Sequence, residues 1–244
     1  MQKQIKAIIT KLKALLAHWF HKYDEHLPYF ITSIIALGIV IGGIKLFIEI
    51  TDQLKSDLMS QVDTQITNYV LSFRSQRLSD YFIIITDIGD VYGYLIVFSL
   101  CAVVFYLIFK NWTYVAQLSL VLLLALSSNL LLKQVINRTR PEIEHLVTVK
   151  TLSYPSGHAM TAMAFYGFLI FLFYRFKIHA FLKTVIIIFL AVLILSIGIS
   201  RIYLGVHFPS DVVGGFIAGF IWVVFCALIF QLIRIFKKDS KTAG

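Results

Sequence analysis

Charge is what this sequence has least of. Only 14% of its 244 residues are charged and 59% are hydrophobic, where a soluble domain carries about 25% and 45–50%. A mean hydropathy of +0.83 agrees, and together these values exclude a soluble globular protein in favour of an integral membrane one. Cysteine is nearly absent. Cys101 and Cys226 both fall inside apolar runs, so they read as small packing residues, and a structural disulfide is not expected. Alternating ten-residue strands are missing too, which removes an outer-membrane barrel. There is no internal repeat, no low-complexity linker and no second domain. The net charge of +9 does not call for nucleic acid, because basic membrane proteins owe such charge to their cytoplasmic loops.

What is present is a set of apolar blocks of helical length. Six candidate spans lie near 29–50, 91–109, 113–132, 159–176, 182–200 and 212–235, each approaching the ~20 residues that cross a hydrocarbon core. The fold class is therefore all-α: a polytopic membrane protein of six transmembrane helices. Its organisation reads as a basic segment over 1–28, a membrane domain over 29–236 that includes an external helical segment at 51–90, and a basic tail over 237–244. In the first segment Ile5, Ile8, Leu12, Leu15, Leu16 and Trp19 recur at helical spacing among five lysines. This predicts an interfacial amphipathic helix, the alternative being a solvated tail. It lacks a small-residue cleavage site, so it is not read as a signal peptide. Between the first two spans, Leu54, Leu58, Val62, Ile66 and Val70 mark one helical stripe, predicting an amphipathic helix or hairpin against the membrane. Lys45 and Glu49, four apart, read as a local ion pair.

Lysine and arginine set the expected orientation. With the N-terminus inside, the inner segments hold thirteen of them and the outer segments eight, which places both termini in the cytoplasm.

Three polar clusters stand at the ends of apolar runs, all on the outer side in that orientation. Lys133-Gln-Val-Ile-Asn-Arg-Thr-Arg140-Pro141 joins a point charge to a planar fork, a common pairing for phosphate oxygens; alone it also reads as a snorkelling flank. Pro155-Ser156-Gly157-His158 opens a span, where unpaired N–H groups and a close-approach glycine suit an anion; alone it also reads as a turn and helix cap. Ser200-Arg201-x5-His207-x3-Asp211 sets a histidine beside a carboxylate able to fix its tautomer. Here the bland reading is an Arg201–Asp211 ion pair.

Taken together, Lys-x6-Arg-Pro, Pro-Ser-Gly-His and Ser-Arg-x5-His-x3-Asp resemble the tripartite signature of the type 2 phosphatidic acid phosphatase superfamily, over roughly residues 80–225. The resemblance implies a bacterial six-span lipid phosphatase of the cytoplasmic membrane with its active site on the extracytoplasmic face. It implies His207 as nucleophile forming a phosphohistidine, Asp211 orienting the imidazole, and His158 protonating the leaving oxygen. Lys133, Arg140, Ser156, Gly157 and Arg201 would bind phosphoryl oxygens. No metal and no cofactor is expected; the sequence has neither an acidic ligand cluster nor a His-Glu-x-x-His pattern. The expected partners are the bilayer and a lipid phosphate: undecaprenyl diphosphate, phosphatidylglycerophosphate, phosphatidic acid or a lipid A phosphate. Two alternatives stay open, a lipid phosphotransferase using the same site and a non-catalytic carrier or scaffold for anionic lipids.

Overall fold

The computed structural model describes residues 10–11, 27–149 and 151–242. The amphipathic helix expected over 1–28 lies largely outside them. From residue 27 onward the chain forms α1 (Leu27–Gln53), α2 (Asp57–Leu71), α3 (Gln76–Ile88), α4 (Val91–Phe109), α5 (Thr113–Ile136), α6 (Gly157–Arg175), α7 (Ala180–Tyr203) and α8 (Pro209–Thr242). Six of these are long and apolar enough to cross a membrane: Tyr29–Gln53, Val91–Phe109, Thr113–Ile136, Gly157–Arg175, Ala180–Tyr203 and Pro209–Ile235. The protein is a multi-pass membrane protein of the expected all-helical class. α8 runs on without a break through most of the segment read as a basic tail.

Several spans extend beyond their apolar runs, so that Lys133, His158, Arg201 and Asp211 all sit within helices. Hydropathy marks where contact with lipid stops, whereas the i→i−4 ladder continues as long as the bundle shields it. The spans alternate in direction. One end of the bundle thus collects the C-termini of α1, α5 and α7 with the N-termini of α4, α6 and α8, and all three polar clusters are there.

α6 is the central helix: 56% of its span is buried against 6% for that of α1. It packs on α5, α7 and α8 through Ala159, Ala162, Ala164, Phe165 and Phe168, all fully enclosed. Lipid tails offer no hydrophobic drive for helices to associate, so close backbone approach does much of that work. A Cβ at Gly219 would stand 2.4 Å from the Met160 carbonyl oxygen, and one at Gly215 would stand 2.7 Å from that of Ser156. These small residues seat α8 against the start of α6. Trp222 Nε1–H donates to Ser128 Oγ at 2.8 Å and ties α8 to α5. Lys45 and Glu49 form the expected exposed pair, at 3.8 Å, and both cysteines are free.

The segment between the first two spans is a helical hairpin. Ser56 and Ser75 cap α2 and α3, accepting from Met59 N–H and Leu78 N–H. The middle of the apolar stripe, Leu58, Val62 and Ile66, points away from the bundle, with Leu58 70% exposed, whereas Leu54 is buried and Val70 packs against the bundle. Its polar face is the buried one: Asp63 and Thr67 pack inward, over the ends of α7 and α8.

Candidate active site

α5 ends at Asn137, whose left-handed backbone (φ 51°) turns the chain out of the helix. The connection to α6 then crosses back over the end of the bundle, pinned by Ser153 N–H on Arg138 O (2.8 Å) and Leu146 N–H on Leu204 O (3.0 Å). This return places Thr151 and Leu152 beside the first cluster. Lys133 Nζ donates to the Leu152 carbonyl and to Thr151 Oγ1. Arg140 is clamped: Nε donates to Thr151 O at 2.7 Å and Nη1 to Val206 O at 2.5 Å. Its Nη2 reaches Thr151 Oγ1 and Leu152 O. A guanidinium held on every side keeps its charge in one place.

The second cluster follows a cis Tyr154–Pro155 peptide. Ser156 is the N-cap of α6, its Oγ accepting from Ala159 N–H, and its own N–H donates to Asp211 O at 3.0 Å. A Cβ at Gly157 would lie 3.0 Å from Asn129 Oδ1, and Asn129 Nδ2 in turn donates to Pro155 O at 3.2 Å. The helix start is thereby fixed against α5, with its unpaired N–H groups presented at the positive end of the dipole.

The third cluster is folded by Gly205. At φ +80° it turns the chain sharply between Arg201 and His207, a conformation that a residue with a Cβ resists. Val206 and His207 N–H both return to Arg201 O. His207 Nε2 faces Arg140 Nη1 at 3.2 Å. Arginine only donates, so Nε2 accepts and Nδ1 carries the proton. That proton faces Asp211 Oδ2 at 3.4 Å and Ser153 Oγ at 3.3 Å. The imidazole is therefore in the tautomer that leaves the Nε2 lone pair for an electrophile. Asp211 is held just as firmly, Oδ2 accepting from Ser153 Oγ–H at 2.5 Å and Phe208 N–H at 2.8 Å.

Lys133, Arg140, Gly157, His158, Arg201 and His207 line one cavity of about 290 Å³. Five side chains and a helix start, drawn from three separated stretches of sequence, thus meet around a single space. Asp211 stands behind His207, outside that lining. Ser156 is also outside it: fully buried, its hydroxyl is engaged in the cap. Arg201 does not pair with Asp211. Its Nη1 donates to Thr86 Oγ1, and its Nε is buried without a partner among the described residues.

The ion pair on Asp211 is made by Arg138 instead. Nη1 donates to Asp211 Oδ1 at 2.7 Å and Nη2 to Asp63 Oδ2 at 2.8 Å, while the guanidinium lies 4.3 Å over the Phe208 ring. Asp63 also accepts from Ser210 N–H and Ser210 Oγ–H. Sequence reasoning missed Arg138 and Asp63 as members of the site, along with Thr151 and Ser153. Arg138 sits between two basic residues with stronger pattern support, and Asp63 is one of several aspartates in a helical hairpin. Only the buried, charged face of an otherwise amphipathic helix could have hinted at it. Among the described residues, no three His, Cys, Asp or Glu side chains cluster to hold a metal.

Burial draws the His207 imidazole down from 6.5 to about 3, opposed in part by its hydrogen bond to Asp211 and that carboxylate's charge. Burial also lowers Arg140, against the pull of Asp211. With the folded value of His207 depressed, the unfolded chain takes up its proton first as pH falls from 6.5 toward 3, so this residue removes stability on acidification. His207→Asn protein should show a shallower fall of Tm across that interval than the parent protein; an equal slope in the two would contradict the assignment.

The sequence model of the PAP2 superfamily matches residues 114–235. Phosphatidylglycerophosphatase B of Bacillus subtilis is 38% identical over 116 residues, covering 46% of this chain and 53% of that protein. Lipid A 1-phosphatase of Rhizobium johnstonii is 31% identical over 110 residues, 41% of each. The matched stretch thus spans about half the length, or less, of these curated relatives. Among solved structures, the transmembrane PAP2 type phosphatidylglycerolphosphate phosphatase of Bacillus subtilis superposes with a TM-score of 0.74 at 27% identity, covering 80% of this chain and 96% of that one. Aquifex aeolicus LpxE superposes at 0.54 with 24% identity, over 67% and 93%, a likeness of fold.

Proposed function

Because the chain belongs to the PAP2 superfamily, we propose that it is a membrane lipid phosphatase that hydrolyses a phosphomonoester or diphosphate through a phosphohistidine. One observation carries the reading: His207 presents an unprotonated Nε2 to a cavity shared with three cations, a second histidine and a helix start.

In this mechanism Nε2 attacks phosphorus while the bond to the leaving oxygen breaks, and His158 delivers a proton to that oxygen. Asp211 offsets the positive charge that appears on the phosphorylated imidazole. His158, now neutral, takes a proton from water; the water oxygen bonds to phosphorus, the P–N bond breaks, and inorganic phosphate leaves. Lys133, Arg201, Arg140 and the N–H groups at Gly157 stabilise the equatorial oxygens throughout. In the structure Arg140 Nη1 already donates to Nε2, so a phosphoryl oxygen arriving there exchanges one acceptor for another on a preplaced cation. Ser156 contributes by holding the helix start in position. These groups supply the electrostatics that a metal would otherwise bring.

The cavity lies at the end of the bundle where the spans meet their polar clusters, which suits a substrate anchored in one leaflet with its phosphate at headgroup depth. The lysine and arginine bias supports both termini in the cytoplasm and the site on the outer face of a bacterial cytoplasmic membrane. The names of the relatives favour phospholipid and lipid A phosphates; undecaprenyl diphosphate is retained from the motif resemblance.

The test is phosphate release by the purified protein in bilayers containing phosphatidylglycerophosphate, phosphatidic acid, a lipid A phosphate or undecaprenyl diphosphate, with and without chelator. Turnover of at least one lipid, unaffected by chelation, is expected. Loss of all turnover on chelation would overturn the mechanism, and no release from any lipid would overturn the function.

A further inference from the structure

In-line displacement puts the leaving group opposite the nucleophile, beside the general acid. The structure therefore says which residues the leaving group passes. The His158 ring packs against the α3–α4 turn: a Cβ at Gly89 would lie 3.2 Å from His158 Cδ2. Asp90 at the end of that turn and Val91 and Tyr94 at the start of α4 all line the cavity. None of them belongs to the three clusters.

Two of these carry chemistry. Asp90 is the sole acidic residue among those lining the cavity; its Oδ1 caps α4, accepting from Val91 N–H at 2.8 Å. Tyr94 is 6% exposed, wedged between Phe165 and Tyr166 with ring centroids 5.5 and 5.8 Å away. Its Oη is buried with no hydrogen-bond partner among the described residues. An unpartnered hydroxyl in such a place is costly unless something accepts from it.

We propose that Asp90 and Tyr94 form the leaving-group wall of the cavity and tune it to lipid phosphomonoesters over lipid diphosphates, an inference that rests on the phosphatase reading above. The Tyr94 hydroxyl donates to the departing ester oxygen. Asp90 decides between substrates by charge. A monoester such as phosphatidic acid releases a neutral alcohol, which brings no charge to the carboxylate. A diphosphate releases a lipid monophosphate, whose anionic oxygens must emerge beside Asp90.

The experiment compares kcat/KM for phosphatidic acid and for undecaprenyl diphosphate in phosphatidylcholine vesicles, using wild type, Asp90→Asn, Asp90→Glu and Tyr94→Phe proteins. Asparagine caps a helix as well as aspartate does, so Asp90→Asn removes the charge and keeps the fold. The wild type should favour the monoester. Asp90→Asn should shift the ratio toward the diphosphate by about tenfold, the effect of one unit charge at a partly screened site. Asp90→Glu should keep the wild-type preference, and Tyr94→Phe should lower kcat more than it raises KM. A wild type that prefers the diphosphate, or a ratio unmoved by Asp90→Asn, would overturn the inference and leave the phosphatase reading standing. A wild type that hydrolyses neither lipid would overturn both.

Discussion

His207→Ala protein should lose turnover of every lipid phosphate by about 10⁴-fold or more, while keeping its helical content and its elution as a folded species. The magnitude follows from what the side chain does. Removing a covalent nucleophile eliminates the two-step path, and what remains is the electrostatic help of the surrounding cations. Thr151, Thr161 and Tyr94 also line the cavity, but none has a base and a carboxylate arranged behind it as His207 does. The comparison with His158→Ala sharpens the test. Loss of a general acid costs about 10²–10⁴-fold and leaves the nucleophile in place, so rapidly quenched His158→Ala protein still carries an acid-labile phosphoryl group. His207→Ala protein carries none. Full activity in His207→Ala would end the phosphohistidine mechanism.

Arg138→Ala should be the most damaging substitution outside the cavity lining. Its guanidinium serves two carboxylates that are almost completely enclosed, Asp63 at 1% and Asp211 at 0% side-chain exposure. Breaking a buried pair by deleting one partner costs about 3–5 kcal/mol, because the remaining charge stays desolvated. Here two charges are left. Asp211 retains Ser153 and Phe208 as donors but loses the bond that fixes Oδ1, so its alignment on His207 Nδ1 relaxes. A drop in kcat of about 10²-fold at little-changed KM is expected, the signature of a displaced catalytic group. Arg138→Lys should fall between, since one ammonium cannot reproduce a fork spanning two carboxylates and Ser210 Oγ. Combining Arg138→Ala with Asp63→Asn should cost less stability than the sum of the two single changes, because the second removes a charge that the first had stranded. Thermal melts and steady-state kinetics on these four proteins check all of this; native Tm and kcat in Arg138→Ala would refute it.

This network also explains why the α2–α3 hairpin lies where it does. An amphipathic helix in a soluble domain turns its apolar face inward. In α2, Leu58, Val62 and Ile66 are exposed, whereas Asp63 and Thr67 are buried. At the edge of a bilayer the apolar face has lipid to meet, which frees the polar face to complete a polar site. The stripe legible in the sequence located the helix. It could not say that the opposite face supplies a ligand to Arg138, 75 residues away in sequence.

The sequence by itself determined the membrane class, the six spans and the three clusters, because each rests on local chemistry: apolar length against bilayer thickness, and residue types whose spacing survives any packing. It also determined the family, since the motifs are contiguous strings. Tertiary structure decided which arginine does what. Arg138, Arg140 and Arg201 are chemically identical, yet one braces Asp211, one faces His207 Nε2, and one reaches across to Thr86. Those roles depend on which buried acceptor lies within about 3 Å of each guanidinium. That distance is set by helix ends converging from far apart in the chain, and no spacing along a single segment encodes it.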